Sequence, residues 1–169
     1  MTKKTAAAVI LLLITAAVIF SAGCVNDAPA AKDGDHVSVY YTLSVDGIVQ
    51  ESNVGKTPLE FTLGSGAMIK GFNNGVIGMK TGETKTITVS PEDGYGVYTR
   101  EKTNEFPLSE VEAAVGSVEV GQILYLNGGQ LTAEILTVNK EKDLIEAAVN
   151  HHMAGKTLVF EITLDKIGN

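Results

Sequence analysis

One cysteine stands in 169 residues, and tryptophan is missing altogether. A single thiol cannot close a disulfide within the chain, so the fold must rest on apolar burial and backbone hydrogen bonds. Histidine is scarce too, with three residues, of which His151 and His152 are adjacent. On extended backbone such neighbours face opposite sides, so the pair is expected to be hydrogen-bonded or hydrated rings in a turn, not chelators of one ion. G-x-S-x-G, H-E-x-x-H and C-x-x-C motifs are all absent, which removes the common hydrolase, metalloprotease and dithiol chemistries. Cationic residues are outnumbered, 13 Lys and Arg against 20 Asp and Glu, for a formal charge of −7. An acidic surface repels nucleic acid, so none is expected as a partner. No cofactor is expected either. Paired carboxylates such as Glu92-Asp93 and Asp33-Asp35 sit in turn-like sequence and are expected to be solvated or capping groups.

What the chain does have is a long apolar run at its start. Lys3 and Lys4 precede Ala6 to Phe20, and Ser21-Ala22-Gly23 follows as a small-residue cleavage site, the layout of a secretory signal over residues 1–23. Cys24 falls directly after it, an arrangement that resembles the lipobox of prokaryotic lipoproteins, with Ser21 where an aliphatic residue is usual. An uncleaved membrane anchor is the alternative, because the run approaches the ~20 residues that span a bilayer. Either places the remainder outside the cytoplasm, held at the membrane, through lipidated Cys24 in the first case. Removing residues 1–23 deletes Lys3 and Lys4 and no acid, taking the charge from −7 to −9. Residues 24–35, polar and rich in Ala, Asp and Gly, read as a tether.

Beyond the tether, HVSVYYTLS alternates, with Val37, Val39, Tyr41 and Leu43 on one face. Asp46-Gly47 predicts a hairpin into IVQES. PLEFTLGSG and ETKTITVS read as further strands. Between them Ile69, Phe72 and Val76 fall at helical spacing and predict one short helix that covers the sheet despite three glycines. FPLSEVEAA predicts another short helix, with Ser109 and Glu112 in capping-box relation. QILYL, QLTAEILTV and DLIEAAV then read as strands of a small subdomain. The last strand, KTLVFEITLDKI, is long and alternates well, as a strand of the main sheet should. The segment 101–147 is therefore expected to be an insertion between residues 36–100 and 148–169, not a terminal domain.

NHHMAGKT, residues 150–157, leads into that last strand. Its Gly-Lys-Thr triplet has the ending of a phosphate loop, but Asn150 occupies the place of the first glycine and a strand follows where a helix should. Two tyrosines carry more information. Tyr41 lies on the inward face of the first strand, so its hydroxyl must find a partner or line a cavity. Tyr95, in Asp93-Gly94-Tyr95-Gly96, sits in a turn that would project it.

Taken together, VSVYYTLSVDG, PLEFTLGSGAMIKGFNNGVIGMKTGE, SPEDGYG and LVFEITLDKI resemble the FKBP-type peptidyl-prolyl cis-trans isomerases. The insert and the NHHMAGKTLVFEI return are similar to the SlyD-type branch, which carries an insert-in-flap chaperone domain. The resemblance implies an α+β fold, a twisted antiparallel sheet wrapped on one short helix, with a small mainly-β inserted domain. It implies a catalytic set of Tyr41, Glu51, Phe61, Ile69, Phe72, Tyr95 and Phe160, with Leu59 and Met68 contacting substrate. Phe106, Leu108, Val111, Leu124 and Leu126 of the insert would bind unfolded chains. Glu51 stands where the family usually has Asp, Phe72 where eukaryotic members have Trp, and Leu59 where Phe is frequent. The implied protein is a monomer acting on unfolded or proline-containing polypeptides. A non-catalytic holdase is the alternative, favoured by Gln50 and Glu51.

Overall fold

The computed structural model describes residues 29–168. The expected signal (1–23) and Cys24 lie outside the described residues, and among those described no helix is long and apolar enough to cross a membrane.

The alternation of the first strand becomes β1 (His36–Val45), which buries Val37, Val39, Leu43 and Val45. Asp46 and Gly47 turn the chain with φ of 52° and 77°, the paired positive values that match the twist of a two-residue hairpin. The chain returns as β2 (Ile48–Ser52) on the far half of β1, while β3 (Leu59–Thr62) pairs with its near half. Along its other edge β1 pairs with β9 (Leu158–Gly168), which in turn pairs with β4 (Thr84–Val89). The result is an antiparallel sheet in the order β2-β1-β9-β4, with β3 beside β2 on the same edge of β1. The last strand is thus central to the main sheet, as its alternation predicts.

One helix, α1 (Lys70–Val76), lies on this sheet through Phe72, Gly75 and Val76. Its glycines have a steric reason. A Cβ on Gly71 would stand 2.3 Å from Val89 Cγ1, and one on Gly75 2.5 Å from Ile87 Cδ1, so only bare backbone lets the helix approach β4 this closely. The core beneath holds Val39, Leu43, Leu63, Phe72, Met79, Leu158, Ile162 and Leu164. The segment expected as a tether to residue 35 joins this unit earlier: Ala31 is buried and its N–H donates to the Met79 carbonyl at 2.8 Å.

A second antiparallel sheet, ordered β5-β8-β7-β6, is made of β5 (Thr103–Pro107), β6 (Ile123–Leu126), β7 (Leu131–Asn139) and β8 (Leu144–His151). It runs four residues past the boundary expected at 147, because Asn150 and His151 still pair with Thr132 and Leu131. α2 (Leu108–Val115) packs on it through Leu108 and Val111 against a core with Ile135, Ile145 and Ala147. The expected capping box does not form. Pro107 is the N-cap, and Asp143 from the β7–β8 turn accepts from both the N–H and the hydroxyl of Ser109, each at 2.7 Å. The Asp143 carboxylate thus satisfies the Ser109 N–H and its backbone carbonyl the Leu108 N–H at 3.1 Å, two free groups at the helix start.

Two polar clasps tie the segment that follows Tyr95 to the second sheet. Asn150 accepts from the Thr99 N–H (3.1 Å) and donates to the Thr99 carbonyl (2.8 Å). Glu134 on β7, itself buried, accepts from the Tyr98 hydroxyl and from two nitrogens of Arg100, Nε at 3.0 Å and Nη2. This fork of charged bonds holds the Glu134 carboxyl below its usual range, through Arg100 first and Tyr98 second.

Candidate active site

On the main sheet Tyr41, Glu51, Leu59, Met68, Ile69, Phe72, Tyr95 and Phe160 surround one cavity of about 190 Å³. Strand alternation puts Tyr41 and Leu43 on the same wall, and β9 sets Phe160 opposite Leu43. Phe72 forms the floor from α1, meeting Phe160 edge-on at 5.0 Å between centroids and Tyr41 at 5.6 Å. Such edge contacts lock the rings and leave their faces to the cavity. Phe61 behaves differently from expectation: it is only 4% exposed and backs Phe72 at 5.8 Å without reaching the wall. Leu43 and Ala67 line the cavity although neither was expected there. Leu43 was legible, since it shares the inward face of β1 with Tyr41.

The two tyrosines differ in what their hydroxyls can do. Tyr41 donates to Glu51 Oε1 at 2.7 Å, and burial, then this bond, pushes its phenol well above the ordinary value. Tyr95 is also raised, by burial and then by the Glu51 charge, so both stay protonated at neutral pH. Among the described residues, however, no hydrogen-bond acceptor is found for the Tyr95 hydroxyl. It is a donor with spare capacity at the rim, 38% exposed. Its placement follows from the local chain. Pro91–Asp93 forms a single 3₁₀ turn, the Gly96 N–H closes on the Pro91 carbonyl at 2.7 Å, and Gly96 takes a φ of 83°. A side chain at that φ would be strained, so glycine permits the turn that lifts Tyr95.

Sequence reasoning missed what lies behind Tyr95. His151 stacks on its ring with centroids 3.7 Å apart and planes 4° from parallel. The expectation that His151 and His152 point apart is corrected here. β8 ends at His151 and the chain turns, which brings the two imidazoles to 4.6 Å. No periodicity announces a contact between a turn at 95 and a strand end at 151.

In the second sheet, Phe106, Val111, Leu124 and Leu126 line a cavity of about 250 Å³ with Val115 and Tyr125 at its edge. Leu108, expected among them, is instead in the core at 5% exposure.

The main sheet wraps one helix, and the cavity on it is walled by aromatic and apolar side chains with Glu51 and two tyrosine hydroxyls as polar groups, an α+β class of fold that carries an apolar binding site. Residues 28–165 match the family model described as FKBP-type peptidyl-prolyl cis-trans isomerase. The chain belongs to that family and is a peptidyl-prolyl cis-trans isomerase. It is 34% identical to the short-type peptidyl-prolyl cis-trans isomerase of Methanocaldococcus jannaschii over 78% of this chain and 90% of that one. It is 31% identical to the FKBP-type 16 kDa isomerase of Escherichia coli over 82% and 94%, and 35% identical to the SlyD isomerase of Helicobacter pylori over 66% and 60%.

Proposed function

We propose that this isomerase assists the folding of proline-containing chains outside the cytoplasm, using the unit built on the second sheet as a chaperone-like module and lipidated Cys24 as its anchor. The observation that carries the module is the second apolar cavity, with Tyr125 70% and Val115 51% exposed beside it. Apolar surface grouped on one small unit fits transient binding of unfolded segments. At the first cavity, rotation about an X-Pro bond must break amide resonance, against a barrier of about 18–20 kcal/mol. The planar ground state is the more polar one, so an apolar wall disfavours it relative to the twisted transition state. Tyr95, with its unused donor, fixes the carbonyl that precedes the proline.

The soluble form from residue 28 onward should accelerate a proline-limited refolding phase and slow aggregation of an unfolded client. No acceleration at micromolar enzyme would sink the assignment of the site. Acceleration without any effect on aggregation would sink the module. For the anchor, Cys24→Ser should shift the protein out of the detergent phase or leave it unprocessed, read by mass. Identical partition and mass in wild type and variant would favour an uncleaved apolar helix instead.

A further inference from the structure

We propose that His151 is a positioning residue for the isomerase site: its neutral imidazole is the platform that fixes Tyr95 over the cavity. The inference rests on the placement of the site around Tyr95 given above. A tyrosine on a turn at the rim, 38% exposed, has freedom about both side-chain torsions unless something holds its ring. Near-parallel stacking at 3.7 Å supplies that restraint on the ring face.

The platform is itself held. The Met153 N–H donates to His151 Nδ1 at 3.1 Å, which assigns the ring proton to Nε2 and fixes the ring about its own torsion. On either side the joint is tied by hydrogen bonds: the Asn150 side-chain amide clasps the Thr99 backbone, and the Gly155 N–H donates to the Gly96 carbonyl at 2.8 Å. Tyr95 and His151 are therefore brought together by bonds on both flanks, and the two rings meet in the stack.

This arrangement works only while Nδ1 is an acceptor. A proton there would face the Met153 N–H, donor against donor, and the ring would have to turn away from Tyr95. Burial and then the neighbouring His152 hold His151 below the ordinary imidazole value, which keeps the platform intact at neutral pH. The groups facing it are Tyr95 in the stack, His152 at 4.6 Å, and Glu101 and Lys102, which line the same groove, while Leu131 opposite on β7 does not titrate.

The test uses the soluble protein and a short X-Pro peptide, with the wild-type rate as the check on the site itself. His151→Ala should lower kcat/KM about tenfold, the scale of a lost ring stack. In a Tyr95→Phe background the same substitution should cost less than about twofold, because the hydroxyl it positions is gone. The wild-type profile should fall on its acid side, at a pH below the ordinary imidazole range because His151 is held below it. His151→Phe, which keeps a flat ring but takes no proton, should lose that acid limb. An equal loss from His151→Ala in both backgrounds, or an acid limb that survives in His151→Phe, overturns the proposal. Should His151→Ala not fold, the pH profile of His151→Phe decides alone.

Discussion

At the scale of the residue, the site separates two tyrosines that look alike in sequence. The Tyr41 hydroxyl is spent on Glu51, whereas the Tyr95 hydroxyl has no partner within the described protein. Glu51 is exposed, so a carboxylate that loses Tyr41 is rehydrated and not orphaned. Tyr41→Phe should then cost about 0.5–1.5 kcal/mol of stability, the net worth of one hydrogen bond, and lower kcat/KM by no more than about threefold. Tyr95→Phe should leave stability nearly as it is and lower kcat/KM about tenfold or more, because the lost donor acts only on bound substrate. Thermal unfolding and peptide kinetics on both variants check the contrast. Equal kinetic losses would mean that the two hydroxyls share the work and that Glu51 does not withdraw Tyr41 from it. The family resemblance implied a place at the site for both residues, but only the bond at 2.7 Å distinguishes them.

At the scale of the element, what could be read from sequence was what local periodicity determines. β1, β4 and β9 alternate, Asp46-Gly47 demands positive φ, and Ile69, Phe72 and Val76 mark the helix face. Each of these is decided within a few residues. The glycines of α1 counted against a helix on propensity alone, yet Gly71 and Gly75 are there because β4 comes so near. Tertiary proximity explains the other departures too. Phe106 and Pro107, expected to open the helix of FPLSEVEAA, instead close β5 because they pair with β8, and the proline ends an edge strand where its missing N–H is not needed. The helix cap came from Asp143, far along the chain, so the Ser109–Glu112 pattern had nothing left to satisfy. The cavity walls were legible from alternation and resemblance together. Phe61 and Leu108 were not, since a residue one layer behind a wall has the same pattern as one in it.

At the scale of the whole molecule, the question is whether the second sheet is part of the cavity or an attachment to it. The chain leaves the main sheet after Val89 and re-enters it at Leu158, and between them Thr99, just before the second sheet, is bonded to Asn150, near the end of that sheet's β8. Thr103 already stands opposite Ala148 across β5 and β8, so a short glycine-containing turn in place of residues 101–147 would close an existing gap. Little loop entropy is added, and the core of β1, β9 and α1 is untouched. That variant should fold and turn over short X-Pro peptides, at a reduced rate because the Arg100–Glu134 fork and the bond from the His152 N–H to Gln130 are lost beside Tyr95. Its activity on an unfolded protein chain should fall further, by up to ~10²-fold relative to the peptide activity, once the second cavity no longer concentrates the client near the first. Paired assays on a peptide and on a refolding protein measure the ratio. If both activities drop by the same factor, the second sheet is a structural buttress of the isomerase cavity and holds no client of its own.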